Sequence, residues 1–225
     1  MSDISRSETR PEYAELARSL VEVLLERGLG ARDRSVIGVA GESGSGKSVT
    51  ATSLARELGA RGYAALVLHQ DDYFVLPPRA NHAAREHDIS RVGPHEVNLA
   101  LLQSHVAAFR EGRDGIDGPT VDYAADRFDT LRVDLTSIRV LVVEGTYVLG
   151  LADLDVRIFL EATYTDTLAR RRARARDADS PFVERVLAIE HEVIVSQGVL
   201  ADLIVDGQFA VRSAVRLPPT RTGDR

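Results

Sequence analysis

The chain has 225 residues, 44% of them hydrophobic and 28% charged, with 34 acidic against 28 basic side chains and no cysteine. That balance suits a soluble globular protein and excludes disulfides, thiolate metal sites and cysteine nucleophiles. A net charge of −6 and an aromatic share of 5% argue against a nucleic-acid footprint.

Residues 1–10 are polar and expected to fray. They lack the apolar core of a secretory signal, and nowhere does an apolar run reach the roughly 18 residues of a membrane span, so a cytoplasmic protein with no membrane partner is expected. From 11 to 27, Tyr13, Leu16, Leu20, Val23 and Leu24 recur at helical spacing, and Gly28 and Gly30 end the run. The β-branched stretch 36–40 predicts a buried strand, 41–46 a glycine-rich turn and 48–58 a helix. A second strand over 64–69 ends in Gln70-Asp71-Asp72. Residues 73–92, with Pro77-Pro78, read as irregular. A helix is predicted from Pro94 through Phe109, then a polar stretch to about 137. Three further strands are predicted over 140–143, 156–160 and 203–205. Helices are predicted over 166–176 and 182–197, and a disordered tail from Arg216. Continuous apolar strands alternating with helices predict an α/β fold of three layers. Its five-stranded parallel sheet would carry helices on both faces in one domain spanning 1–225. Ligands then bind at the carboxyl ends of the strands.

The turn Gly41-Glu42-Ser43-Gly44-Ser45-Gly46-Lys47-Ser48 fits G-x-x-x-x-G-K-[ST] between a strand and a helix. Its glycines allow a concave loop whose amides, continuing into the helix through Val49, bind phosphate oxygens. Lys47 supplies a compact charge for the β- and γ-phosphates, and the Ser48 hydroxyl is placed for Mg²⁺. Lys47 is also the sole lysine in the chain. ATP and Mg²⁺ are therefore the expected cofactors.

Asp71 and Asp72 follow the second strand and Glu144 the third, so all three open on the crevice beside that loop. Phosphoryl transfer to a hydroxyl needs a carboxylate to orient and deprotonate the acceptor, and another acid toward the metal. Asp71 is the candidate base, Glu144 the candidate for metal or substrate, and Asp72 is as well explained as a cap. Arg170, Arg171, Arg172, Arg174 and Arg176 crowd one predicted helix, with Arg170 and Arg174 sharing a face. A basic lid over 163–180 would neutralise the transferring phosphoryl, with Arg170 and Arg174 in the chemistry and Arg171 on the nucleotide.

With GESGSGKS at 41–48, HQDDYF at 69–74, VLVVEGTYVL at 140–149 and IFLEATYTDTLARRRARARD at 158–177, the chain resembles the uridine kinase and phosphoribulokinase group of P-loop kinases. Nicotinamide riboside kinases of that group are similar in two segments. The resemblance implies Asp71 as catalytic base, Glu144 near Mg²⁺ or substrate, lid arginines 170, 171 and 174, and an acceptor site within 73–138. Where uridine kinases carry His-Pro-Asp, the nearest match is Gly93-Pro94-His95, leaving Glu96 or Asp88 to replace the aspartate. The tyrosine and histidine of pyrimidine-specific members match Val121 and Asp126. His95, Tyr123 and Arg127 are candidates to reach the acceptor, and Tyr73 to serve core and site together. The histidines show no metal-ligand spacing and read as surface or structural.

The expectation is an ATP-dependent kinase acting on a hydroxyl of a nucleoside-like small molecule. A vitamin-precursor or sugar kinase (nicotinamide riboside, pantothenate), a nucleoside monophosphate kinase and a non-catalytic ATP-binding regulator stay open, as does homo-oligomerisation. A GTPase is excluded, because its Asn-Lys-x-Asp motif needs a second lysine.

Overall fold

The computed structural model describes residues 10–167 and 180–214. The lid arginines 170, 171, 172, 174 and 176 and the tail from Arg216 lie outside these described residues.

In chain order the elements are α1 (Pro11–Glu26), β1 (Ser35–Gly41), α2 (Lys47–Ala60), β2 (Ala65–His69), α3 (Pro78–His87), α4 (Leu99–Arg110), β3 (Gly115–Asp122), β4 (Arg127–Asp134), β5 (Val140–Glu144), β6 (Val156–Leu160), α5 (Pro181–Gln197), β7 (Leu203–Val205) and β8 (Val211–Ser213). The main sheet runs β2-β5-β1-β6-β7-β8. The five expected strands are all parallel, and β8 adds an antiparallel edge against β7.

Every residue of β1 is buried, because the strand has helices on both sides. Successive side chains point to opposite faces. Val36 and Ala40, with Leu141, Val143 and Phe159, pack toward Leu102, Val106 and Phe109 of α4 and Ile194 of α5. Ile37 and Val39, with Val140, Val142, Ile158 and Leu160, pack toward Leu16, Leu20 and Leu24 of α1 and Leu54 and Leu58 of α2. A continuous apolar run is what a two-sided layer demands, and here it yields three layers.

Three local expectations are corrected. Residues 78–87 form a helix, though only Asn81 is buried in it. With no apolar stripe, helical periodicity had nothing to register. Pro94–Glu96 is a separate tight turn, closed by the Glu96 carboxylate on the Gly93 amide at 2.9 Å. The helix proper begins at Leu99, where the Asn98 side chain accepts from the Leu101 amide. The polar stretch before 137 is a β3–β4 hairpin in register from Gly115↔Asp134 to Asp122↔Arg127. Its strands are largely exposed, with Ile116 and Gly118 the buried positions, so the burial alternation that marks a strand is weak.

Candidate active site

Parallel pairing sets His69 beside Glu144 and Val39 beside Glu144 across three neighbouring strands. The ends of β1, β2 and β5 therefore open at one level, where the loop 41–46 leads into α2.

Gly44 and Gly46 take φ of 79° and 100°, a left-handed backbone that favours glycine. At Gly46 a Cβ would also run into the Tyr13 hydroxyl. Helix α2 starts directly on this loop with no side-chain cap and no acid in its first turn, leaving its amides and positive end for an anion. The Lys47 ammonium donates to the Glu42 carbonyl at 3.0 Å and makes no ion pair among the described residues. Ser48 is exposed at the helix start. An uncapped helix end with one unneutralised lysine fits a polyphosphate. Among the described residues no three His, Cys, Asp or Glu side chains converge on a metal. Mg²⁺ would accordingly lean on phosphate oxygens and water besides Ser48, its usual habit.

The Glu42 side chain does not face phosphate. Its two oxygens accept from the Tyr164 amide at 2.6 Å and pair with His191 Nδ1 of α5 at 2.7 Å. The loop is thereby tied to the stretch that leads into residues 168–179.

Asp71 lies in the short turn after β2, open to the crevice and without a hydrogen bond among the described residues. Crowding by surrounding protein raises its pKa although water reaches the residue. Glu144 and Asp72 add to the shift, while Lys47 and His69 oppose it. Glu144 is buried, and its Oε1 accepts from His69 Nδ1 at 2.7 Å. Burial works against the His69 cation, but the hydrogen bond and charge of Glu144, with Asp72 and Asp71, outweigh it and raise the pKa. The histidine read as surface or structural thus sits inside the acid cluster. Asp72 accepts from the Val121 amide at 3.2 Å, which ties the hairpin to the turn after β2; the bond is a long-range tie and not a cap of that turn.

The expected acceptor residues fare unevenly. Tyr73 is turned into the core, 3% exposed, with its hydroxyl on His105 Nδ1 at 2.8 Å. It is a packing residue, because the ring fills space beneath α4. Asp88 is exposed, and its Oδ1 accepts from the amide and hydroxyl of Ser90. His95 is exposed on the turn before α4. Tyr123 and Arg127 are exposed on the hairpin, where Arg127 pairs with Asp122 and Asp129.

A second charged group is assembled from distant segments. Arg85 of α3 grips Glu96 through Nε at 2.6 Å and Nη2 at 2.8 Å, and Nη2 also reaches Glu190 of α5 at 3.0 Å. Burial raises the pKa of Glu190, opposed by Arg85 and then by Lys47. Only Glu96 of these was named from the sequence. Arg85 fell in a stretch with no apolar period, and Glu190 lies 105 residues further along the chain.

A family model described as Phosphoribulokinase / Uridine kinase family matches residues 36–180. The chain belongs to that family. It is a kinase, a phosphotransferase with an alcohol group as acceptor. It is 33% identical over 190 residues, 78% of its length, to the bifunctional alpha-galactosidase/sucrose kinase AgaSK of Mediterraneibacter gnavus, and that match spans 20% of the relative. It is 25% identical to a uridine kinase of Staphylococcus aureus, covering 83% of this chain and 94% of that one. A crystal structure of a proposed fructose transport system kinase from Silicibacter sp. TM1040 superposes with a TM-score of 0.62 at 26% identity, covering 82% of this kinase and 94% of the other chain. Among the described residues of the kinase, no helix is long and apolar enough to cross a membrane.

Proposed function

We propose that this kinase moves the γ-phosphoryl group of ATP onto a hydroxyl of a small sugar or nucleoside. The observation that carries the proposal is an unneutralised Lys47 on the phosphate loop, sharing the crevice with a carboxylate, Asp71, that no hydrogen bond occupies. Phosphoryl transfer asks little covalent chemistry of a protein beyond such placement.

The amides of Gly41 to Val49 would hold the phosphates and Lys47 the β- and γ-oxygens. Ser48 would supply a metal oxygen, and Glu144, kept in place by His69, would face the metal or its waters. Bound Mg²⁺ would contribute charge neutralisation of the phosphates. Asp71 would orient the acceptor hydroxyl and take its proton. Its raised pKa, caused first by burial, makes it a stronger base than an ordinary carboxylate. Arg170, Arg171 and Arg174 would close over the phosphates as a lid.

Between the two acceptor classes, the relatives named for sucrose and fructose favour a sugar. The departures from the uridine-kinase pattern at Gly93-Pro94-His95, Val121 and Asp126 point the same way. The test is coupled ADP release with ATP, Mg²⁺ and a panel of hexoses, sucrose, ribose, uridine, cytidine, nicotinamide riboside, pantothenate and nucleoside monophosphates. Turnover on a neutral hydroxyl compound is expected. Turnover on monophosphates alone would contradict the reading, since that reaction needs no base.

A further inference from the structure

Resting on that reading, the group tied to Gln70, the neighbour of Asp71, narrows the acceptor further. We infer that Glu190 and Tyr147 are its hydroxyl-binding residues, and that the acceptor is an uncharged polyhydroxylated molecule.

Glu190 gives Oε1 to Arg85 at 3.0 Å, and its second oxygen has no hydrogen-bond partner among the described residues. The guanidinium of Arg85 is meanwhile shared between two carboxylates, Glu96 and Glu190. Glu96 is sequestered, with both oxygens on Arg85 and one also on the Gly93 amide. The pair thus serves to fix Arg85, which in turn holds Glu190 in one orientation.

An independent observation points to a ligand here. Tyr147, in the turn after β5, is 4% exposed, and its hydroxyl is buried with no hydrogen-bond partner among the described residues. That hydroxyl lies near enough to Glu190, Arg85 and Glu96 to feel all three charges. Beside it, Gln70 spends its Oε1 on the Tyr147 amide at 2.7 Å, and its Nε2 is buried without a partner among the described residues. Gly145 makes this packing feasible, because any Cβ there would collide with the Gln70 side chain. A native protein rarely leaves two buried polar groups unpaired within one small region unless something else satisfies them.

The available groups define the partner. A carboxylate oxygen accepts, an amide N–H₂ donates, and a phenol does both. Hydroxyls, which also do both, match this set. An acceptor bearing a carboxylate or phosphate would meet Glu190, Asp71 and Glu144 with the nearby arginine already matched twice. Charge therefore selects a neutral sugar-like compound over a glycerate-like or phosphorylated one.

The test compares wild type, Glu190→Gln and Tyr147→Phe for acceptor kinetics, ADP affinity and melting temperature. Neutral sugars are expected to exceed anionic analogues by about a hundredfold in kcat/KM. E190Q is expected to raise the acceptor KM roughly tenfold, and Y147F about fivefold, with ADP affinity unchanged. Y147F removes an atom with no partner in the free protein, so its melting temperature should hold. A KM effect there reads acceptor binding and nothing structural. KM values within twofold of wild type in both variants, or a preference for anionic acceptors, would overturn the inference. Saturation-transfer NMR with the same sugars and no nucleotide separates this from failure of the kinase reading. If turnover is absent but sugars bind wild type and not E190Q, the site stands and the reaction falls. If no neutral polyol binds, the site falls.

Discussion

The phosphate end and the acceptor end of this crevice are built in opposite ways. The proposed phosphate end is one continuous segment, Gly41 to Val49, in which backbone amides, a helix start and two side chains follow one another. The proposed acceptor end sets Glu190 and Tyr147 beside Arg85 and Glu96, each from a different element and brought together by the fold. A backbone cradle depends on dihedral angles, which glycine spacing writes into sequence. A side-chain cradle depends on packing, which can keep its shape while its members change. On the proposed reading the first end would hold the nucleotide, and the second would select the acceptor.

The largest expected effect breaks the phosphate end. Lys47→Ala should cut turnover by on the order of 10³-fold with the fold intact, read as kcat/KM against melting temperature. No second lysine exists to stand in. A loss under tenfold would mean that the loop works through its amides alone.

Asp71→Asn joins the two ends, and turnover should drop by about 10²–10⁴-fold with nucleotide affinity kept. Because the pKa of Asp71 is raised, its share of stability is present below the unfolded pKa and lost as pH rises through the folded one. The Asn variant should therefore melt higher than wild type at pH 7 but not at acid pH, gaining stability while losing function. The same raised value predicts that wild-type kcat/KM increases with pH through an apparent pKa above 3.8.

Gly46→Ala tests whether conformation alone makes the cradle. With φ at 100° and the Tyr13 hydroxyl in the way, it should cost ~1–3 kcal/mol in chemical denaturation and weaken nucleotide binding. An unchanged midpoint would show that the loop tolerates a side chain.

His69 offers a subtler probe. Its folded pKa is raised above 6.5, so its stabilisation is full below 6.5 and fades as pH climbs through the folded value. His69→Gln should flatten the decline in melting temperature above pH 6.5 that wild type shows. The smallest effect belongs to Arg127→Ala on the exposed hairpin, expected within about 0.5 kcal/mol of wild type and with unchanged acceptor KM.

The contrast also explains what the sequence could disclose. The five parallel strands were legible because each is buried on both faces and reads as a short apolar run. Gly41–Ser48 was legible because its spacing is its mechanism, and Asp71 and Glu144 because strand ends locate them. Helix α3 and the hairpin were not legible, since neither buries an apolar stripe. Arg85–Glu190 and His69–Glu144 were hidden for a different reason. The members of the pairs lie 105 and 75 residues apart, and they meet only when α3 and α5, and β2 and β5, are in place. Tyr73, named by its neighbourhood to Asp71, went to the core because its turn faces α4.

The most direct test of the central claim is transfer of label from γ-labelled ATP in single turnovers with a neutral sugar, by wild type and Asp71→Asn. Label should appear on a sugar hydroxyl in wild type and fall by about 10²–10⁴-fold in the variant, with ATP still bound. Label released only as inorganic phosphate, or transfer by the variant at near the wild-type rate, would contradict the account.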